Sequence, residues 1–149
     1  IPVIAAGGIA TGRGMLAAMV LGADGVQIGS RFVASEESSA HINFKQTVVN
    51  VQDGDTHLTL KELAPVRLIK NKFYRDLQKL YETNPTEKEL KDKLGRGRAK
   101  KGMFEGDLDE GELEIGQIAG LISEIKPAAE ILEEIISEFN EVKHFISKM

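Results

Sequence analysis

Two pairs of small residues carry the chemistry of this sequence. Gly7-Gly8 closes the apolar run Ile1-Pro2-Val3-Ile4-Ala5-Ala6, and Gly29-Ser30 closes Asp24-Gly25-Val26-Gln27-Ile28. Glycine lacks a Cβ, so an anion can approach its backbone closely and collect N–H donors. A dianionic phosphate takes several such donors, and the Ser30 hydroxyl adds one more. A single Gly-Gly after a strand is more often a tight turn. Two such ends separated by one helix-length segment favour a phosphate site. Gly-Lys-Ser/Thr does not occur, and Gly8, Gly12 and Gly14 do not have the dinucleotide-fingerprint spacing, so neither nucleotide loop is present.

The elements that position these pairs follow from the apolar pattern. Ile1–Ala6 suits a strand buried on both faces, as in a parallel sheet. Thr11 is a candidate N-cap for a helix over about Gly12–Leu21, with Gly22 as its terminator. Gly25–Ile28 is the second strand. Strand, helix and strand make one right-handed βαβ unit, and ligands lie beyond the carboxyl ends of such strands. In (β/α)₈ barrels the loops after the last two strands commonly bind phosphate. Two strands cannot cover both of their own faces. The expectation is therefore the C-terminal part of a longer protein, with neighbouring strands upstream.

Downstream the pattern changes. A helix is expected over about Ala40–Val51, a turn at Asp53-Gly54-Asp55 and an extended piece at Thr56–Leu60 that does not extend the parallel sheet. Apolar residues recur near helical period over Val66–Tyr81, and Thr86 with Glu89 has capping-box spacing before Leu94. Gly95–Gly116 is glycine-rich and charged and reads as irregular. A short helix over Gly116–Ser123 follows. Pro127 suits the first position of a long helix, with Ile131, Leu132, Ile135, Ile136, Phe139, Val142, Phe145 and Ile146 turned inward.

Composition narrows the classes. The 149 residues are 42% hydrophobic and 28% charged, with a net charge of −4 and no cysteine. Disorder, disulfides and thiolate sites are excluded, and no basic face announces nucleic acid. No apolar run approaches the ~18–20 residues of a membrane span.

Ile1–Ala10 and Leu21–Phe32, with Glu36-Glu37-Ser38 and His41 downstream, resemble the nitronate monooxygenase (2-nitropropane dioxygenase) superfamily. Val66–Phe73, Glu105–Leu108 and Gly116–Leu121 are most similar to its flavin-dependent enoyl-acyl-carrier-protein reductase, type II. The resemblance implies an α/β fold: the last two strands of an FMN-binding (β/α)₈ TIM barrel plus a helical C-terminal appendage. Residues 1–51 would be the barrel part with the FMN phosphate site, and 52–149 the appendage and terminal helix packing on it. Gly7 and Gly8 would meet the phosphate from one loop, and Gln27, Ile28, Gly29 and Ser30 from the other. Ser30 stands where relatives often have Thr, and the hydroxyl is kept. The family's catalytic His would lie before Ile1, so the resemblance assigns no catalytic residue here, and it assigns no metal.

The implied activity is an FMN-dependent oxidoreductase with NAD(P)H as reductant and an enoyl thioester as acceptor. Nitronate oxidation is the alternative, and a non-redox phosphate-binding barrel a third reading. The expected substrate is a small molecule or is linked to acyl carrier protein. A homodimer is an option, neither nucleic acid nor membrane is expected, and the expected location is the cytoplasm. Taken alone, the 149 residues are expected to associate without catalysis and to bind FMN poorly.

Other tempting residues have plainer readings. His41 reads as a surface or packing residue, His144 as solvated, and His57 as a loop residue with an entrance role as the lesser option. Arg67, Lys70 and Lys72, and Arg96, Arg98, Lys100 and Lys101, read first as solvated faces and second as a rim attracting an acidic carrier protein. Asp107, Asp109, Glu110, Glu112 and Glu114 lack the order of a calcium loop. Spacing does not decide whether Gln117 faces the flavin pocket.

Overall fold

The computed structural model describes all 149 residues. It opens with β1 (Ile4–Ala6), α1 (Gly12–Val20) and β2 (Gly25–Gln27). The two strands are parallel, with Ile4 opposite Gly25 and Ala6 opposite Gln27. This is the expected βαβ unit, its strands shorter than the apolar runs. The Thr11 side chain caps α1 by accepting from the Gly14 N–H at 3.0 Å. Gly22 ends the turn after α1 at φ +106°, where glycine avoids the Cβ penalty. The apolar start is not buried within this chain: Ile1, Val3 and Ile4 are exposed, because a two-stranded sheet leaves both faces of its outer edges open.

Next come α2 (Ser30–Val33), α3 (Ile42–Val49), β3 (Thr56–Thr59) and β4 (Val66–Ile69). β3 and β4 pair antiparallel in a sheet of their own, with Thr56 opposite Ile69. Val66–Ile69 therefore corrects the helical expectation. Residues 113–115 bind its other edge: Ile69 N–H donates to Leu113 O at 3.0 Å, and Ile115 N–H donates to Arg67 O at 3.1 Å. Those ladder bonds, with two β-branched residues at the strand ends, outweigh a helical period that begins in earnest only after Asn71. There α4 (Lys72–Tyr81) starts, with the Asn71 side chain accepting from Tyr74 N–H at 2.9 Å. α5 (Glu87–Leu94) carries the expected capping box between Thr86 and Glu89.

The glycine-rich stretch contains a helix after all, α6 (Arg98–Met103). Gly102 sits inside it for closeness: an added Cβ would lie 2.7 Å from Glu112 O. Close packing, not a turn, accounts for this glycine, and composition alone does not separate the two. A 3₁₀ turn at Gln117–Leu121 follows, and then α7 (Ala128–Ile146), with Pro127 one position earlier than expected, at the N-cap.

The larger core gathers Ala34, Phe44, Val48, Ile69, Leu113 and Ile122, among others, and so crosses residue 51. A smaller one joins Leu60, Leu68, Phe73, Leu77 and Leu90. α7 packs along α1. Of its eight apolar residues expected inward, Ile131 and Ile135 are buried and Phe139 and Val142 half-buried. Leu132, Ile136, Phe145 and Ile146 are exposed, because only one stripe of α7 meets α1. No helix is long and apolar enough to cross a membrane.

The α1–α7 contact depends on Gly12. Its N–H donates to the Glu138 carboxylate at 2.7 Å, and a Cβ there would lie 2.2 Å from Ile135 O and 2.3 Å from Phe139 N. Replacing Gly12 by Ala improves helix propensity by at most about 1 kcal/mol. Overpacking against backbone costs about 1–3 kcal/mol. Gly12→Ala is therefore expected to lower the urea midpoint of the chain, read by far-ultraviolet circular dichroism. An unchanged or raised midpoint would show that the two helices do not need this close approach.

Candidate functional site

The parallel register puts Gly7 and Ile28 one residue beyond the paired Ala6 and Gln27, so both loops leave the same end of the β1–β2 sheet. Gly7 and Gly8 have φ of +87° and +71°, the left-handed region that favours glycine. Gly29 differs, with φ −105° and ψ −64°, which any residue adopts. A Cβ at any of the three meets nothing within 4 Å. Conformation alone calls for glycine at 7 and 8, and at 29 only an approaching ligand would.

Ser30 opens α2, and its Oγ accepts from Gly116 N–H at 3.1 Å. Gly29 and Ser30 line a cavity of about 410 Å³ together with Val33, Pro65–Arg67 and Glu114–Gly116. Gly7, Gly8, Gln27 and Ile28 do not line it. Gln27 is exposed and Ile28 half-buried. Gly116 was outside every site expectation. It lies 86 residues from Ser30, and no local spacing could have joined the two.

Arg67 is the cation of this cavity. Its guanidinium donates to Thr56 O at 3.1 Å and Thr56 Oγ1 at 3.2 Å, neutral partners that leave its charge uncompensated by any carboxylate contact. The remaining basic residues are differently placed. Lys72 pairs with Asp76 and Glu110, Lys100 with Glu105 and Lys101 with Asp107. Arg98 pairs with Glu110 at 3.6 Å and lies 4.4 Å from the centre of the Phe73 ring. Much of the acidic loop is thus occupied in pairing with the basic groups. Asp107 also accepts from the Asp109 and Glu110 N–H groups, which tightens the turn.

The histidines lie elsewhere. His41 caps α3, its Nδ1 accepting from Asn43 N–H at 3.1 Å, and its ring fills the space above Gly106. His57 stands 5.7 Å from Tyr74, ring centre to ring centre, beside a separate small cleft. His144 is exposed on α7, and Gln117 is exposed and outside the cavity.

Glu112 and Glu114 flank a second cleft, of about 270 Å³, under Leu60, Leu63 and Leu94. Burial pushes the Glu112 carboxyl up to about 7. The nearby Glu114 adds to this and Arg98 opposes it. Burial also raises Glu114. With its folded value above its unfolded one, Glu112 binds a proton in the native state over a range where the unfolded chain has lost it. Its contribution is complete below the unfolded value near 4.5 and is lost as pH rises toward about 7. Between pH 5 and 7.5 the wild type is expected to lose roughly 1–3 kcal/mol relative to Glu112→Gln. Denaturant titrations of the two proteins across that range measure the difference. Parallel pH profiles would remove Glu112 as the source.

The chain is similar to known proteins over nearly all of its length. The family model described as nitronate monooxygenase matches residues 1–138. A probable nitronate monooxygenase of Staphylococcus aureus is 34% identical over 146 residues, covering 97% of this chain and 41% of its own length. FabK from Thermotoga maritima superposes with a TM-score of 0.90 at 44% identity, over 99% of this chain and 47% of that one. A nitroalkane oxidase from Streptomyces ansochromogenes does so with a TM-score of 0.74 at 30% identity, over 98% and 41%. The chain thus spans less than half the length of these relatives. Its α/β fold matches barrel proteins over that part, and the closed barrel is not present in its 149 residues. A family match over most of the chain, with relatives aligned from end to end of it, leads to one conclusion: the chain belongs to the nitronate monooxygenase family.

Proposed function

We propose that this chain supplies the phosphate end of an FMN site in an oxidoreductase that reduces an enoyl thioester with NAD(P)H. The observation that carries the reading is the cavity at the carboxyl end of β2. There Gly29 is open to a close approach, the Ser30 hydroxyl is present and Arg67 brings an unneutralised positive charge. These features suit a phosphate. Glu114 lines the same cavity and opposes a dianion when ionised; burial raises its carboxyl above the ordinary value, which lessens that opposition as pH falls. Gly7 and Gly8 lie outside this cavity, in the other loop that leaves the same sheet end, and would meet the phosphate from there.

FMN, when bound, supplies the relay of hydride from nicotinamide to acceptor. The residues present bind and orient its phosphate, and no proton-transfer group is assigned among them. In this reading residues 1–51 belong to the barrel and 52–149 form an appendage on it. The substrate is a small molecule or a thioester linked to acyl carrier protein. The similarity of Val66–Phe73, Glu105–Leu108 and Gly116–Leu121 to the enoyl reductase supports this choice, as does the higher identity to FabK than to the nitroalkane oxidase. The second reading, nitronate oxidation, has the family model and the curated relatives in its favour.

Two measurements on the full-length protein test this. Under anaerobic conditions NADH or NADPH is expected to bleach the flavin, and an enoyl thioester to restore its colour. Oxygen uptake with an alkyl nitronate, and no bleaching by either nicotinamide, would replace the reductase with the second reading. For the site, Gly29→Val is expected to weaken FMN at least about tenfold, the equivalent of ~1.4 kcal/mol. The backbone at 29 accepts valine and the chain leaves room for it, so the loss would report the ligand rather than the fold. Equal FMN affinity in this variant, measured by flavin fluorescence, would place the phosphate elsewhere. His144→Ala should change nothing.

A further inference from the structure

We propose that Gly116 is a positioning residue for the Ser30 hydroxyl, so that residues 114–116 complete the phosphate site that the strand ends begin. This rests on the reading of Gly29-Ser30 as the phosphate contact and extends it to a residue outside both loops.

A hydroxyl has one proton and two lone pairs, and it rotates to suit its partners. The Gly116 N–H occupies one lone pair of Ser30 Oγ at 3.1 Å, and Oγ has no other hydrogen-bond partner in the protein. With that lone pair taken, the O–H is biased away from Gly116 and free to donate to an anionic oxygen in the cavity that both residues line. The hydroxyl is thereby oriented before the anion arrives.

Gly116 is itself held in place. Ile115 N–H donates to Arg67 O, Leu68 and Glu114 form an antiparallel bridge, and Ala119 N–H donates to Gly116 O at 3.0 Å. Its N–H is therefore fixed by the edge of β4, the strand that also carries Arg67. Glycine is required there for closeness rather than conformation. Its φ of −68° and ψ of 156° suit any residue. An added Cβ, however, would lie 2.7 Å from Ser30 Oγ and 3.9 Å from Ser30 Cβ. The clash is with the hydroxyl alone and disappears if residue 30 is alanine.

That geometry sets the experiment. Apoprotein of the full-length wild type, Ser30→Ala, Gly116→Ala and the double variant is titrated with FMN and with riboflavin, which lacks the phosphate. Thermal midpoints are taken without flavin. Ser30→Ala is expected to lose about ten- to a hundredfold in FMN affinity, the range of one charge-assisted hydrogen bond. Gly116→Ala is expected to lose a similar factor. The double variant should match Ser30→Ala within about twofold, because alanine at 116 then makes only ordinary contact. Riboflavin affinity should stay level in all four.

Loss of FMN by Ser30→Ala with none by Gly116→Ala would overturn the proposal and leave the phosphate reading intact. No loss by either would overturn both. So would equal losses of FMN and riboflavin, since the phosphate would then not be the group sensed. Losses that multiply in the double variant would show that Gly116 acts without Ser30. A lower midpoint for Gly116→Ala with unaltered FMN affinity would make the contact a structural staple only. If Gly116→Ala does not fold, a folded double variant supports the contact, and an unfolded one refutes it.

Discussion

The hydrogen-bonded seam between β4 and residues 113–115 is the constraint on which the rest of this molecule depends. Two backbone bonds, from Ile69 to Leu113 and from Ile115 to Arg67, join segments more than 40 residues apart. Alternating side chains along the seam then serve both cores, Leu68 in the smaller and Ile69, Leu113 and Ile115 in the larger. The same seam delivers Arg67, Glu114 and Gly116 to the cavity at Ser30. Packing and site are thus built by one element, and the hydrophobic burial that holds the seam also holds the polar groups in register.

Charge is arranged around this seam with economy of exposed cations. The acidic turn at Asp107–Glu110 pairs with Lys72, Arg98 and Lys101. Exposed pairs of this kind contribute little stability each, typically about 0–1 kcal/mol, but they cancel the local field. Arg67 escapes the cancellation because its partners are the hydroxyl and carbonyl of Thr56. Glu112 marks the opposite case. It is a carboxyl among apolar side chains, with a second acid two residues away, and proton binding is the least costly way to keep it there.

Contiguous features were legible from the residues in order. The parallel β1–α1–β2 unit lies within one contiguous stretch, residues 4–27, and the Thr11 cap and the Thr86–Glu89 capping box rest on neighbours three residues away. Elements set by distant partners were not. Val66–Ile69 has an apolar spacing that fits a helix, and its pairing with β3 on one edge and with 113–115 on the other makes it a strand. Gly102 looks like a loop residue until the backbone of Glu112 is placed 2.7 Å from where its Cβ would be. The terminal helix has apolar residues on a broad face, and the narrow α1 contact decides which are buried.

The candidate site divides along the same line. Gly7, Gly8, Gly29 and Ser30 were identifiable because strand ends followed by small residues form a local pattern, and a parallel pair must put its carboxyl ends together. The sequence by itself therefore determined the βαβ unit, its two loops and the family motifs they carry. Only the tertiary structure decided that Arg67 lines the cavity while Lys70 and Lys72 do not, and that Gly116 holds the Ser30 hydroxyl. The reason is physical. A hydrogen bond between residues 30 and 116 depends on the folded positions of both, and those are set by a core whose members are scattered along the chain.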